Sequence, residues 1–272
     1  MNKVYTELTL NVENKVVIES DEYFGLLIRN LYPINLSRFI EKPMKIDIKI
    51  EYDDENKIIF NILYNNKYIF YSSLDTFYYN LLSILEDYCT NLHNGIAMHG
   101  SGIVFNNYAY LFCQSRKRGK STLVCDLLSD LNCLFLSDDV LFFRNEYVCG
   151  LTNPIRLRKV NIENVKKNGR ICCETLGEEK IFIYIPDNNF NYTYRAVDKI
   201  FFIEYDININ NECIKLMPTN SFFNLIKNVR KKINMEYLYK WASNFLKDHE
   251  SYVIKYNNIN YAREIISKLI NN

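Results

Sequence analysis

The amino-terminal part of the chain alternates between apolar and polar positions. Asn, Asp and Glu residues of the kind found in turns separate the alternating segments from one another. The pattern predicts a β-rich section over roughly the first seventy residues. Its five predicted strands are KVYTELTLNV, KVVIES, MKIDIKIEYD, KIIFNILY and KYIFYSS.

The spacing of apolar residues then changes from that of a strand to that of a helix. LDTFYYNLLSILEDYCTNLHNG places apolar residues on one helical face and stops at Gly95. This predicted helix joins the β-rich section to the remainder of the chain. We therefore predict a β-rich domain with its connecting helix over residues 1–90, and a second domain over residues 91–272.

The second domain begins with alternating strand and helix patterns. IAMHGSGIVF and YAYLFC flank a turn at Asn106 and Asn107, which predicts a β-hairpin. STLVCDLLSDL has the apolar spacing of a helix. LNCLFLSDDVLFF predicts a buried strand that ends in two aspartates and continues into another strand. The order of strand, loop, helix and acid-ended strand is typical of a nucleotide-binding α/β unit.

The rest of the chain continues in the same mixed style. Strands are predicted in KIFIYIP and KIFFIEYD, and helices in SFFNLIKNVRKK, MEYLYKWASNFLKD and YAREIISKLI. The pattern predicts an α/β fold with a P-loop nucleotide-binding core, preceded by the β-rich domain.

Composition narrows the class of protein further. The chain has 272 residues, of which 48% are hydrophobic, so it can bury a sizeable core. A net charge of +1 argues against nucleic acid as the main partner. The eight cysteines form no paired CxxC motifs, which indicates reduced, buried thiols. We find no export signal and no membrane-spanning run, and we expect a cytoplasmic protein that does not bind a membrane.

The stretch CQSRKRGKST carries the end of a phosphate-binding loop. Gly119 allows a sharp turn that aims backbone N–H groups at phosphates, Lys120 supplies positive charge, and Ser121 supplies a hydroxyl for Mg²⁺. A bare GKST could arise by chance, but this one lies between an apolar strand and an amphipathic helix. The pattern G-x-x-x-x-G-K-[ST] has glycine where Cys113 stands, and we expect so small a side chain to be tolerated.

Three adjacent cations precede the glycine of this loop. They either add attraction for polyphosphate or form a solvated, charged loop, and the residues alone leave both alternatives open. The residues that we predict to bind nucleotide are Ser115, Arg116, Lys117, Arg118, Gly119, Lys120, Ser121 and Thr122.

Asp138 and Asp139 follow the loop by one helix and one strand. In a parallel sheet this would return the chain beside the first strand and bring the acids near the γ-phosphate and Mg²⁺. Adjacent residues on a strand face opposite ways, so we expect one acid to accept a proton and the other to hold Mg²⁺ or a structural partner. A turn capped by the two acids is the alternative. His99 is a lone histidine, and such residues are more often structural than catalytic. His93 and His249 have no motif around them, and we expect both at the surface or at an interface.

Taken together, AMHGSGIVFNNYAYLFCQSRKRGKSTLVCDLLSDLNCLFLSDDV resembles the HPr kinase/phosphorylase family. It is most similar to the HPr-kinase-like proteins of biosynthetic clusters for ribosomally made peptides, including lasso peptides. The shared order is histidine-glycine, a strand pair, the phosphate loop, its helix, and serine-aspartate-aspartate. The resemblance extends through GLTNPIRLRK and AVDKIFFIEY to the final helices, and so covers residues 91–272.

This resemblance implies roles for individual residues. Asp138 would be the base that activates the acceptor hydroxyl, and His99 would lie near the γ-phosphate and assist transfer. Asp139 would belong to the metal network, with Ser121 as a ligand of Mg²⁺ and Lys120 on the phosphates.

Arg156 and Lys159 would contact phosphate or substrate in the resembling segment. The chain departs from HPr kinase/phosphorylases because NPIRLRKVNIENV replaces their glycine-rich, glutamate-bearing segment. That departure argues against HPr as the substrate and against phosphorylase activity.

The predicted function is a kinase that uses Mg²⁺ and ATP, or another nucleoside triphosphate, to phosphorylate a serine hydroxyl of a peptide or small protein. The alternatives are a small-molecule kinase, a nucleotide hydrolase, and a non-catalytic nucleotide-binding or peptide-carrying module. The front strands could take up an extended peptide as an added strand, but we favour a scaffold role for them. The resemblance also implies a homo-oligomer.

Overall fold

The computed structural model describes most of the chain after residue 73 and the strands before it. The described residues are 3–9, 15–21, 44–52, 58–64, 67–71, 74–114, 119–151, 153–158, 169–174, 181–186, 190–191, 193–230 and 233–271.

Strands and helices follow one another in a mixed order. The strands of the first half are β1 (Lys3–Thr9), β2 (Lys15–Asp21), β3 (Met44–Tyr52), β4 (Ile58–Tyr64), β5 (Lys67–Tyr71), β6 (Ile96–Met98), β7 (Gly100–Phe105), β8 (Tyr108–Cys113), β9 (Leu134–Ser137) and β10 (Leu141–Arg144). The later strands are β11 (Tyr147–Gly150), β12 (Ile155–Arg158), β13 (Gly169–Glu174), β14 (Ile181–Pro186), β15 (Arg195–Tyr205), β16 (Glu212–Lys215) and β17 (Glu250–Tyr256). The helices are α1 (Leu74–Leu92), α2 (Lys120–Asp130), α3 (Pro218–Ile226), α4 (Met235–Asp248) and α5 (Ile259–Ile270).

The first five strands form one sheet in the order β1-β2-β3-β4-β5. The pairs β1/β2, β3/β4 and β4/β5 are antiparallel, and β2/β3 is parallel. These strands lie in the five segments whose alternation predicts them. The division into domains at residue 90 stays a prediction.

A nine-stranded mixed sheet forms the centre of the fold. Its main path runs β6-β10-β11-β15-β8-β7-β9, and β17 with its partner β16 joins through β15. β8 is parallel to β15 and antiparallel to β7, so the sheet has both kinds of pairing. The α/β prediction is therefore confirmed at the level of a mixed α/β fold with a central mixed sheet.

Helices cover this sheet on both faces. Tyr110 and Phe112 of β8 pack into a cluster with residues of α2 and α5, whereas Leu111 and Cys113 pack into a second cluster with residues of α3 and α4. Alternate residues of a strand point to opposite faces, so a strand buried on both faces must be apolar at nearly every position. YAYLFC meets this requirement.

The order of strands differs from the sequence-based expectation. β9 does not return beside β8, because β7 lies between them and pairs antiparallel with both. The tight turn at Asn106 and Asn107, both at positive φ, folds β7 back onto β8. β7 therefore takes the position beside β8 that β9 would have in a simple strand-helix-strand unit.

Two local predictions are also corrected. The helix predicted from residue 221 begins earlier, at Pro218, and ends at Ile226, after which Val229 bridges Met98 of β6. Proline suits the first turn of a helix, where its missing N–H is not needed. Asp138 and Asp139 lie in a bend after β9 and not on the strand itself.

Histidine and cysteine placements test two further predictions. His93, expected at the surface or an interface, is 4% exposed, and its Nε2 lies 3.0 Å from the Phe143 carbonyl oxygen. The cysteines whose burial is described are free thiols, and all but the half-buried Cys213 are buried, as predicted. None of the helices that the structure describes combines the length and apolar character that crossing a membrane would need.

Candidate active site

The phosphate-loop glycine lies at the start of α2 in a conformation that only glycine adopts freely. Gly119 has a φ of 88°, and a Cβ added there would lie 2.5 Å from the Tyr256 hydroxyl and 3.0 Å from Tyr205 Cβ. Both the backbone conformation and the space therefore require glycine. Thr122 lies in the first turn of α2. The predicted loop residues 115–118 lie outside the described residues, so their contacts stay predictions.

Cys113 replaces the leading glycine of the motif without entering the loop. It is the last residue of β8, paired with Gly100 of β7 and with Phe202 of β15. Its thiol is fully buried in the apolar cluster, and this burial raises the pKa of Cys113 to about 12. Position 113 belongs to the sheet and not to the loop. A small apolar side chain fits there, and the position does not need the conformational freedom of glycine.

Asp138 lies between two serine hydroxyls that come from different elements. Ser101 of β7 donates to Oδ1 at 2.5 Å, and Ser121 of α2 contacts Oδ1 at 2.9 Å and Oδ2 at 3.0 Å. Burial, together with the neighbouring Asp139 carboxylate, raises the pKa of Asp138 to about 6. A carboxylate with such a pKa is largely ionised at neutral pH yet remains a usable base.

Asp139 adopts a left-handed backbone conformation that turns it away from Asp138. Its φ is 69°, and its carboxylate Oδ2 accepts a hydrogen bond of 2.5 Å from Arg156 Nη2. Its carbonyl oxygen accepts from Gly100 N at 3.4 Å and from Arg230 Nη1 at 3.3 Å. Burial alone would raise the pKa of Asp139, but Arg156 and Arg230 outweigh it and hold that pKa below its usual value.

His99 links Asp139 to the phosphate-loop lysine. Its Nδ1 lies 3.0 Å from the Asp139 carbonyl oxygen, and its Nε2 lies 3.3 Å from Lys120 Nζ. A carbonyl can only accept, so Nδ1 carries the proton and Nε2 accepts from the ammonium. Burial and the Lys120 charge lower the pKa of His99 to about 4. The imidazole is therefore neutral at pH 7.

Lys120 is itself nearly buried, at 6% exposure, although it begins a helix next to a loop. Besides contacting His99, its ammonium donates to the Gln114 carbonyl oxygen at 2.9 Å. These two acceptors fix the Lys120 ammonium between His99 and Gln114. A buried ammonium needs such partners, because burial without them is strongly unfavourable.

Arg156 was predicted to contact phosphate or substrate, and the structure places it against other residues of the site. Its guanidinium donates to Ser83 and Glu86 of α1 and to Asp139. It therefore lies at the site as a partner of the acidic pair. Lys159 lies outside the described residues.

Five of the residues that the sequence predicts for the site lie together in the structure. They are His99, Lys120, Ser121, Asp138 and Asp139, and the first and last of them are 40 positions apart in the chain. Three further residues of the site escaped sequence reasoning. Ser101 could have been found, because it directly follows the histidine-glycine pair, and it lies on β7 with Gly100. Glu86 and Arg230 carry no local signal, since their partners lie 70 and 91 residues away.

The donors at the site suit a magnesium ion better than a transition metal. Ser121 and Asp138 offer adjacent oxygen atoms, and Mg²⁺ in nucleotide enzymes takes one or two protein oxygens plus phosphates and water. Within the part of the chain that the structure describes, no three His, Cys, Asp or Glu side chains converge as a metal site. The carboxylate beside the Ser121 hydroxyl is Asp138, whereas Asp139, the predicted metal ligand, is held by Arg156.

Comparison with known proteins adds little to this geometry. No family model matches the chain, and no curated protein matches it. Among solved structures, the chain is similar to the Hpr(Ser) kinase/phosphatase from Coxiella burnetii, at 13% identity and a TM-score of 0.31. The match covers 64% of this chain and 93% of that chain. A likeness at this TM-score carries no argument, and the case for function rests on the contacts around Lys120 and Asp138.

Proposed function

We propose that this protein is an ATP-dependent kinase that transfers the γ-phosphate to a hydroxyl group, most specifically to a serine of a peptide or small protein. The observation that supports it is the contact of Asp138 with Ser121, at the start of the phosphate-loop helix, beside the Lys120–His99 pair. Phosphoryl transfer needs a bound triphosphate, a positioned acceptor and one base. In this proposal Lys120 and Ser121 bind the triphosphate, and Asp138 is the base.

The nucleotide would be held at the amino-terminal end of α2. Gly119 precedes α2 in a left-handed conformation, and from there the backbone N–H groups at the start of α2 would contact the phosphates. The helix dipole would favour the negative charge of the phosphates. Lys120, released from the Gln114 carbonyl, would place its ammonium on the β- and γ-phosphate oxygens. His99 would keep the ammonium oriented, because its neutral Nε2 accepts a hydrogen bond without competing for phosphate.

Magnesium would be held by the Ser121 hydroxyl and the phosphates. Ser121 donates its single proton to Asp138, which leaves the oxygen lone pairs of the hydroxyl available to a metal ion. When bound, the ion would neutralise charge on the phosphate oxygens during transfer.

Asp138 would act as the base. Its Oδ1 accepts from both serines, whereas its Oδ2 has a single, weaker contact with Ser121 among the described residues. The acceptor hydroxyl oxygen attacks the γ-phosphorus, and the bond from that phosphorus to the bridging oxygen breaks. ADP departs, and the hydroxyl proton passes to Oδ2.

The choice of a peptide serine as acceptor, and of a role in tailoring ribosomally made peptides, is supported by the sequence resemblance of residues 91–272. The described contacts constrain the phosphate side of the site and leave the acceptor side open. Peptides and small hydroxylated metabolites therefore both belong in the test.

The test is transfer of label from γ-labelled MgATP to a panel of serine peptides and small alcohols. Asp138→Asn should lower transfer by about 10²- to 10⁴-fold while binding of MgATP persists. Asp248→Asn, an exposed aspartate on α4, is the matched control and should behave like the parent. Label on a metabolite alone would assign a small-molecule kinase. Binding of MgATP without any labelled product would assign a non-catalytic module, and equal transfer by Asp138→Asn would remove Asp138 from the chemistry.

A further inference from the structure

A buried glutamate on α1 lies behind the proposed active site. Glu86 is 3% exposed, on the helix that follows the amino-terminal sheet. Burial raises the pKa of Glu86, and Arg156 opposes that rise. A carboxylate in such a place is retained only with good partners. Its Oε1 accepts from Arg156 and from Asn153, the latter at 3.4 Å, and its Oε2 lies 3.6 Å from Arg230.

Each of the two arginines reaches from Glu86 to Asp139. Arg156 uses one nitrogen, Nη2, to contact both the Glu86 carboxylate and Asp139 Oδ2. Arg230 uses Nη1 in the same way, toward Glu86 Oε2 and the Asp139 carbonyl oxygen. Two guanidinium groups are thus held between two acids, one of which belongs to the proposed site.

Arg230 reaches this position because the chain after α3 pairs with the central sheet. Val229 bridges Met98, and the backbone N–H of Arg230 donates to the Ala97 carbonyl at 2.9 Å. The backbone N–H of His99 donates to the Asn228 carbonyl at 2.6 Å. The bridge therefore fixes Arg230 and His99 next to each other, where both contact the Asp139 carbonyl oxygen.

Asp139 needs such support because its backbone is held at a φ of 69°, a conformation unfavourable for a residue with a side chain. Its carbonyl oxygen is the acceptor that sets the His99 tautomer. If the Asp139 backbone left this conformation, Nδ1 of His99 would lose the carbonyl acceptor. The ring proton could then move to Nε2, which would no longer accept a hydrogen bond from Lys120.

We propose that Glu86 is a positioning residue that, through Arg156 and Arg230, holds the Asp138–Asp139 bend and so fixes the His99 tautomer that orients Lys120. Its importance for phosphate transfer rests on the proposed function, whereas its effect on His99 does not. The connecting helix α1, assigned by sequence to the amino-terminal domain, thereby supplies a residue that completes the site.

The first experiment reads the His99 tautomer directly and needs no nucleotide. Nitrogen-15 shifts of the histidine rings are recorded on the full-length parent at about pH 8, where free imidazole is neutral. The chain has three histidines, and His99→Gln identifies the relevant signals. The parent should show His99 with the proton on Nδ1, and Glu86→Gln should show a mixture of both tautomers.

A second variant and a control keep the result interpretable. Arg230→Gln alters a residue of the same network that is more accessible than Glu86, at 19% side-chain exposure. It should change the His99 signals in the same direction as Glu86→Gln. Asp87→Asn changes the exposed neighbour of Glu86 on α1 and should leave them as in the parent. Unchanged His99 signals in both Glu86→Gln and Arg230→Gln, each shown to be folded, would overturn the inference.

The second experiment asks whether the effect passes through Asp139. Glu86→Gln should lower the rate of label transfer at saturating MgATP about ten- to a hundredfold, with the KM for MgATP within about twofold of the parent. In an Asp139→Asn background the same change should cost less than about threefold, because coupled residues are not additive. A full, additive loss would show that Glu86 acts elsewhere and would overturn the inference. If the parent transfers no label, the proposed function fails, and the His99 signals still decide the positioning role.

Discussion

Nε2 of His99 accepts a hydrogen bond from the Lys120 ammonium across 3.3 Å, while Nδ1 faces the Asp139 carbonyl. A histidine beside a phosphate loop is easily taken for a cation that attracts phosphate. Burial and the Lys120 charge outweigh the nearby Asp139 carboxylate and keep the ring neutral at pH 7, so the contribution that we expect from it is orientation and not charge. The resemblance to kinases implied that His99 assists transfer, and this contact indicates how it would do so.

The low pKa of His99 predicts a specific dependence of stability on pH. The folded protein has a His99 pKa of about 4 against an ordinary value of 6.5, so the unfolded chain binds that proton more readily. Stability should therefore fall as pH decreases from about 6.5 to about 4. Urea unfolding at pH 7 and pH 5 should show that His99→Gln loses about 1–2 kcal/mol less than the parent between these conditions. His249→Gln, with the altered ring at the end of α4, should retain the parent's loss. An equal loss in all three proteins would contradict a buried, neutral His99.

The ionised Asp138 carboxylate, which we propose as the base, should lower the free energy of unfolding at neutral pH. Its folded pKa of about 6 lies above the usual 3.8, so the native state holds the proton more tightly and its contribution to stability declines as pH rises from about 4 to about 6. At pH 7, Asp138→Asn should be more stable than the parent by about 1–3 kcal/mol, although it loses transfer. Unfolding of both proteins at pH 7 checks this. A less stable variant would show that the hydrogen bonds from Ser101 and Ser121 outweigh the cost of burying the charge.

Gly119→Ala should weaken both the fold and nucleotide binding. Alanine at a φ of 88° costs about 1–2 kcal/mol, and its Cβ would collide with the Tyr256 hydroxyl. In a Tyr256→Phe background, which removes that hydroxyl, the same substitution should cost less but not become neutral, because the backbone strain remains. Melting temperatures and the Kd for MgATP of the four proteins measure both parts. Identical costs in the two backgrounds would contradict a collision at Tyr256.

Restoring the consensus glycine at position 113 should not improve the protein. Cys113 is buried in the sheet and its thiol packs in the apolar cluster, so Cys113→Gly leaves a small cavity and a more flexible strand end. We expect a loss of about 1–3 kcal/mol in stability and a Kd for MgATP within about twofold of the parent. Cys113→Ala, which keeps a Cβ, should lose less. A clear gain in affinity on Cys113→Gly would show that the cysteine does impair the loop.

The Gly119-Lys120-Ser121 motif and most of the described elements were accessible from sequence because their signals are local. Period-two alternation and the run YAYLFC predict strands, the spacing of leucines predicts α2, and Gly119-Lys120-Ser121 lies at the junction where phosphate loops occur. Element ends were less accurate: α3 ends at Ile226 because the following residues bridge β6, a contact that no local pattern encodes.

Local order along the chain was therefore sufficient to predict the described helices, many of the strands and the residues that we propose hold phosphate. The strands β11, β12, β13, β16 and β17 were not predicted. The insertion of β7 between β8 and β9, the separate surroundings of the two aspartates, and the pairing of Glu86 with both arginines arise only from folding. The contact of Asp138 with Ser121 joins residues 17 positions apart, whereas the pairing of Glu86 with Arg230 joins position 86 to position 230. The free energy of burying a charge depends on which partners the packed chain brings to it. Periodicity in the sequence indicates which face of a helix or strand is apolar. It does not indicate which distant charged residue will pair with a buried charge on that element.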